Sequence, residues 1–168
     1  MIHFVGAGSG APDLITVRGQ KFLREADVVI YAGSLVNPEL LKETKPGCEI
    51  LNSAYMTLDE VIRAMEKAER EGKMTVRLHT GDPAIYGAIR EQMDRLDEKE
   101  IAYDVCPGVS SFCGAASSLH AELTLPGVSQ SVIITRMAGR TGVPERESFR
   151  SLAAHHATMA VFLSTGLL

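Results

Sequence analysis

Residues 2–19 read IHFVGAGSGAPDLITVRG. Ile2–Val5 is an apolar run, long enough for a buried strand and short for a helix. Gly6-Ala7-Gly8-Ser9-Gly10 interrupts it, and Thr16 stands where a residue would cap a helix running to about Glu25. The resulting unit is a strand, a glycine loop and a helix. Working outward, the same alternation recurs. Asp27–Tyr31 (DVVIY) is β-branched and reads as a buried strand. Asn37-Pro38 has the form of a cap followed by proline at the first helical position. Cys48–Leu51 is a weaker strand. Thr57 and Glu60 form a capping box, with Leu58, Val61, Ile62, Met65 and Ala68 at helical spacing and Gly72 as the stop. Met74–Leu78 predicts a strand, Gly87 to about Glu98 a helix, Ile101–Val105 a strand and Ser110–His120 a helix of small residues. Beyond Pro126-Gly127 follow a strand at Ser131–Thr135, a helix at Glu145–Ala153 and a strand at Met159–Leu163. Strands alternating with helices of this length imply βα crossovers and a mainly parallel sheet. Pro, Gly and Ser concentrate at 106–127, which places a domain boundary there: 1–109, then 110–168. Two strands do not bury their own face well, so the second part either docks on the first or is a fragment of something longer.

Composition narrows the function. The 168 residues carry 17 basic and 21 acidic side chains, a net charge of −4, which argues against nucleic acid as a partner. Aromatic residues are 5% with no Trp, too few for a base-stacking platform. Cys48, Cys106 and Cys113 contain no CxxC, and the five His contain no HExxH, so neither a disulfide framework nor a metal site is expected. The N-terminus lacks the pattern of a signal peptide and no apolar stretch reaches membrane-spanning length, so the expected setting is the cytoplasm.

The first glycine loop admits three readings. A dinucleotide fingerprint would want an acidic residue at the end of the second strand, and that strand ends Tyr31-Ala32-Gly33. A phosphate-binding P-loop would want Gly-Lys-Ser/Thr, and no lysine follows until Lys21. A tight turn for close backbone passage is the third. Two further loops sit after strands: Thr80-Gly81-Asp82-Pro83 and Pro107-Gly108-Val109-Ser110-Ser111. Parallel sheets bind ligands at the carboxyl ends of their strands, so three such loops on one edge point to a crevice for a small molecule without naming it.

These loops, with VGAGSGAPDLITVRG at 5–19, ADVVIYAGSLV at 26–36, RLHTGDPAIYGAIREQM at 77–93, VCPGVSSF at 105–112 and ELTLPGVSQSVIITRMAGRTGVPE at 122–145, resemble the tetrapyrrole (corrin/porphyrin) methylase family. The resemblance spans essentially the whole chain. It implies an α/β, two-domain fold, with a mainly parallel sheet in the N-terminal domain and a partial second α/β domain, and it implies a homodimer. It also implies methyl transfer from S-adenosyl-L-methionine to a carbon of a tetrapyrrole. Donor contacts would fall to Pro12, Thr80, Gly81, Asp82, Ile85, Ser110, Ser111, Leu163 and Ser164, and contacts to the macrocycle to Gly8, Ser9 and Gly10. The family commonly has Gly-Pro-Gly-Asp-Pro where this chain has Ser9-Gly10-Ala11-Pro12, and its second domain continues well past a strand such as Met159–Leu163.

A sulfonium donor is already activated, so the reaction is an in-line displacement that asks chiefly for alignment, worth up to about 7–11 kcal/mol. This agrees with the lack of a catalytic triad. Asp82 has a competing reading: Asp-Pro is a frequent turn pair whose carboxylate caps its own backbone. A tetrapyrrole is a polyacid, and Arg136 and Arg140 are the candidates to meet its carboxylates bidentately, against the plainer reading of solvated surface arginines. Rival readings are another methylase of the same superfamily, a non-catalytic fragment and a dinucleotide-binding oxidoreductase domain.

Overall fold

Five short strands, each flanked by loops and helices, make one parallel sheet. They are β1 (Ile2–Gly6), β2 (Val28–Tyr31), β3 (Glu49–Asn52), β4 (Thr75–His79) and β5 (Tyr103–Cys106), in the spatial order β3-β2-β4-β1-β5. The computed structural model describes residues 1–139 and 141–167. The chain divides into two compact units, Met1–Gly114 and Ala115–Leu168.

In the first unit both faces of the sheet are covered. Helix α1 (Val17–Glu25) brings Leu23 to a buried cluster with Val5, Val29, Val76, Leu78 and Cys106. On the opposite face, α2 (Leu58–Arg70) and α3 (Arg90–Asp97) bring Val61, Ile62, Met65 and Leu96 against Ile2, Phe4, Val28 and Ile30. Central strands buried on both faces read as continuous apolar runs, which is why β1 and β2 are legible in sequence. Burying a side chain such as Phe4 contributes about 2–3 kcal/mol.

Local chemistry sets the helix ends. Thr57 Oγ1 accepts from the Glu60 N–H while the Glu60 carboxylate accepts from the Thr57 N–H, a complete capping box at the start of α2. Thr16 caps α1 by accepting from Gly19 N–H at 3.1 Å. Three helix expectations differ in detail. The segment after Asn37 is 3₁₀ rather than α. The helix expected from Gly87 begins only at Arg90, because Tyr86 and Ala88 adopt left-handed backbone with φ of 54° and 51°. The helix expected over 145–153 is broken at Ser148, which is extended and caps the short α5 (Phe149–Ala153), leaving a 3₁₀ turn at Glu145–Glu147.

The second unit pairs β6 (Val132–Arg136) with β7 (Thr158–Phe162) in parallel. Helix α4 (Ser111–Ser118) starts in the first unit and ends in the second. Among the described residues no helix is long and apolar enough to cross a membrane.

Candidate active site

The neighbouring strands β1 and β4 form a switch point. The chain leaves β1 towards β2 and leaves β4 towards β5, on opposite faces of the sheet. At the carboxyl ends of these neighbouring strands the two connections part, and such a gap is the ligand-binding position of an open α/β sheet.

Three glycines bring the loops together there. A Cβ on Gly6 would lie 2.6 Å from the Gly108 Cα, and a Cβ on Gly108 would overlap the Gly81 carbonyl oxygen. Backbone therefore touches backbone, and only glycine fits. The first loop and the 80–82 loop are further joined by a two-way bridge: Gly81 N–H donates to the Gly8 carbonyl at 2.9 Å and Gly8 N–H to the Gly81 carbonyl at 3.3 Å. Of the three readings of the first glycine loop, close backbone passage is the one the geometry realises.

Asp82 holds the assembly. One carboxylate oxygen accepts from Ala84 N–H at 2.8 Å, the turn-capping role that an Asp-Pro pair suggests. The other accepts from Gly108 N–H at 2.9 Å, tying the third loop to the second. Ser110 is buried, and its carbonyl accepts from Cys113 and Gly114 at the start of α4. Ser110 Cα and Ser111 N lie 3.6 and 3.5 Å from where a Gly81 Cβ would stand. Ser9 is seated on Gly114, where a Cβ would collide with it. Asn37 donates to the Gly10 carbonyl at 2.8 Å, and exposed Pro12 opens the next turn. Ile85 N–H donates to the Asp82 carbonyl at 3.2 Å. Gly8, Ser9, Gly10, Pro12, Thr80, Gly81, Asp82, Ile85 and Ser110 thus belong to the segments that follow β1, β4 and β5, and Ser111 opens α4.

The remaining residues singled out in the sequence belong to the second unit. Arg136, ending β6, donates to the carbonyls of Met137, Thr141 and Gly142 at 3.3, 3.0 and 2.9 Å, so its guanidinium organises its own loop and is not a free surface arginine. Ser164 is buried; its hydroxyl donates to the Phe162 carbonyl at 2.7 Å and accepts from Met137 N–H at 2.9 Å, joining the ends of β6 and β7. Leu163 beside it is exposed and left-handed, with φ of 54°. Arg140 lies outside the described residues.

Sequence reading missed the polar row beneath the 80–89 loop. Arg77 and His79 on β4 are buried on the α2/α3 face, with Gln92 of α3. Burial lowers Arg77 to about 10. Burial, reinforced by the Arg77 charge, pushes His79 down to about 3, so its imidazole is neutral at ordinary pH. His79 Nε2 has no hydrogen-bond partner among the described residues. The available signal was a charged residue inside an otherwise buried strand, TVRLH at 75–79. No group of three or more His, Cys, Asp and Glu able to hold a metal ion occurs among the described residues.

The fold and these loops define a class: an α/β protein with glycine loops gathered at the carboxyl edge of a parallel sheet. The family is narrower. The family model described as Tetrapyrrole (Corrin/Porphyrin) Methylases matches residues 1–167, and the chain belongs to that family. A cobalt-precorrin-4 C(11)-methyltransferase of Methanocaldococcus jannaschii is 57% identical over 99% of this chain and 64% of its own length. The enzyme of the same name from Priestia megaterium is 52% identical over 99% and 64%. Among solved structures, a cobalt precorrin-4 methyltransferase of cobalamin biosynthesis superposes with a TM-score of 0.95 at 52% identity, covering 99% of this chain and 70% of that one. A uroporphyrin-III C-methyltransferase from Thermus thermophilus, solved with S-adenosylhomocysteine, superposes at 0.77 with 28% identity, over 98% of this chain and 66% of that one. The chain spans about 64% of the length of the curated relatives it matches.

Proposed function

We propose that this chain is the donor-binding part of an S-adenosyl-L-methionine-dependent C-methyltransferase acting on a precorrin-4-like tetrapyrrole, at carbon 11, in cobalamin biosynthesis. The carrying observation is the Gly6–Gly81–Gly108 crossing at the sheet's switch point, in a chain that is 57% identical over its length to an enzyme named for that reaction. Backbone groups of Thr80, Gly81, Ser110 and Ser111 recognise the donor's polar parts, and Ile85 and Pro12 border it. The donor's positive sulfur needs alignment rather than acid–base help. The macrocycle carbon attacks the methyl group as the carbon–sulfur bond breaks, the bonding pair leaves on sulfur to give S-adenosylhomocysteine, and the positive charge left on the macrocycle is discharged by loss of a ring proton to water. Gly8, Ser9 and Gly10 face the macrocycle. Arg136 meets a substrate carboxylate. Asp82 works through the loops it holds. We further propose a homodimer acting in the cytoplasm.

Titration calorimetry with S-adenosylhomocysteine and with NADH tests the donor. Binding of the first alone is the expected result, and binding of NADH alone would overturn the reading. Methyl transfer to cobalt-precorrin-4 is then assayed with the chain extended to its relatives' length. A product methylated at another position would move the assignment to another methylase, such as the uroporphyrinogen-III type, of which a Cyanidium caldarium member is 36% identical over 78% of this chain.

A further inference from the structure

The loop from Asp82 to Ile89 is fastened at both ends, and the two fastenings differ. At its start Asp82 caps Ala84 and holds Gly108. At its end the Ala88 carbonyl accepts from the Gln92 side-chain amide at 3.0 Å. The other half of that side chain, Oε1, accepts from Arg77 Nε at 3.0 Å, and Arg77 Nη1 donates to the Ile30 carbonyl at 3.1 Å. A chain of hydrogen bonds therefore runs from the middle of β2 through β4 and α3 to the loop. Arg77 is 7% exposed and Gln92 5%.

This arrangement is expensive. A buried guanidinium is desolvated, and no carboxylate pairs with Arg77 among the described residues. A methionine would fill the same space without that penalty. What the polar pair supplies is direction. Tyr86 and Ala88 are both left-handed without being glycine, a conformation that costs about 1–2 kcal/mol per residue. Gly87 between them packs against the Pro83 carbonyl so closely that a Cβ would overlap it. The sequence from Gly87 onward favours helix, so without a restraint at Ala88 the segment would relax towards right-handed backbone and lengthen α3.

We propose that Arg77 and Gln92 are positioning residues: the Arg77–Gln92–Ala88 chain holds the 82–89 loop in the left-handed form that receives the sulfonium nucleoside. This inference rests on the donor reading above. Its test uses S-adenosylhomocysteine titrated into the wild-type chain and into the Gln92→Glu, Gln92→Leu and Arg77→Met variants. Amide exchange at residues 84–89 and thermal unfolding are measured in parallel. Gln92→Glu keeps an acceptor for Arg77 and loses only the donor to Ala88. It is expected to bind roughly tenfold more weakly, with faster exchange confined to 84–89 and an unfolding midpoint within about 3 °C of wild type. Gln92→Leu also leaves the buried Arg77 Nε–H without its acceptor, so it is expected to weaken binding and speed exchange at 84–89 together with a larger fall in the unfolding midpoint. Wild-type affinity and unchanged loop exchange in Gln92→Glu would overturn the proposal, even if Arg77→Met fails to fold. Affinity lost only in step with global stability across the variants would overturn it too. If the wild-type chain does not bind the nucleoside, the donor reading fails. The exchange measurement, which needs no nucleoside, then still decides whether Gln92 holds the loop.

Discussion

The two units are built from the same alternation of strand and helix, yet they bury themselves very differently. In Met1–Gly114 the five strands are covered on both faces, and Ile2, Phe4, Leu23, Val29, Ile62 and Met65 are fully enclosed. In Ala115–Leu168 the buried side chains among the described residues are polar, Thr135 and Ser164, while Ile134, Val161 and Leu163 stay exposed. Pattern decides which segments become strands. Enclosure depends on how many strands share a sheet and on helices for both faces. The first unit can therefore hold backbone in improbable close contact, as at Gly6, Gly81 and Gly108. The second spends its polar side chains, Arg136 and Ser164, on organising its own strand ends.

The sharpest way to break this contrast is with matched glycines. Gly108→Ala pushes a methyl group into backbone that cannot move, and we expect a loss of about 4 kcal/mol, read from amide exchange in β1 and β4. Gly139→Ala in the second unit meets open space and should change stability by less than about 0.5 kcal/mol. Equal effects would mean that the crossing is looser than it looks. Next in size is Phe4→Ala, expected to destabilise by about 3 kcal/mol, against less than about 1 kcal/mol for Ile134→Ala, both by urea unfolding.

Acid provides a third handle on the enclosed unit. Unfolded His79 titrates near 6.5 and the folded residue near 3. Between those values the unfolded chain holds a proton that the folded chain does not. Stability is therefore unaffected by this group above about pH 6.5 and falls as pH is lowered below it, by about 1.4 kcal/mol per pH unit. His79→Leu should flatten that slope. An unchanged slope would assign acid sensitivity to other groups. The smallest contrast is between caps. Thr57→Ala should lose about 1 kcal/mol because a full capping box closes a long, packed helix, and Ser148→Ala only a few tenths because α5 is short and poorly covered. Thermal unfolding of each variant measures this.

Much of this was legible in the chain itself. Among the described residues β1, β2, β6 and β7 fall where apolar, β-branched runs stand between turn residues, and the capping box at Thr57 and Glu60 forms as its spacing requires. The loops that build the candidate site were found because glycine and proline after a strand leave a local trace. Arg77, His79 and Gln92 left almost none. Gln92 is an ordinary helix residue until Ala88 is placed opposite it, and Arg77 reads as surface until α3 covers β4. The competing interpretation of Asp82 was open for the same reason, since Ala84 is a near neighbour in sequence whereas Gly108 is 26 residues away.

By itself, then, the order of residues determined the elements, their parallel character and the edge that carries the glycine loops, because period, caps and turns act over a few neighbours. Only the tertiary structure decided that three glycines share one crossing, that Asp82 joins two loops, and that a buried arginine reaches Ala88 through Gln92. Those outcomes depend on distances between segments remote in the chain, set by which strand lies beside which.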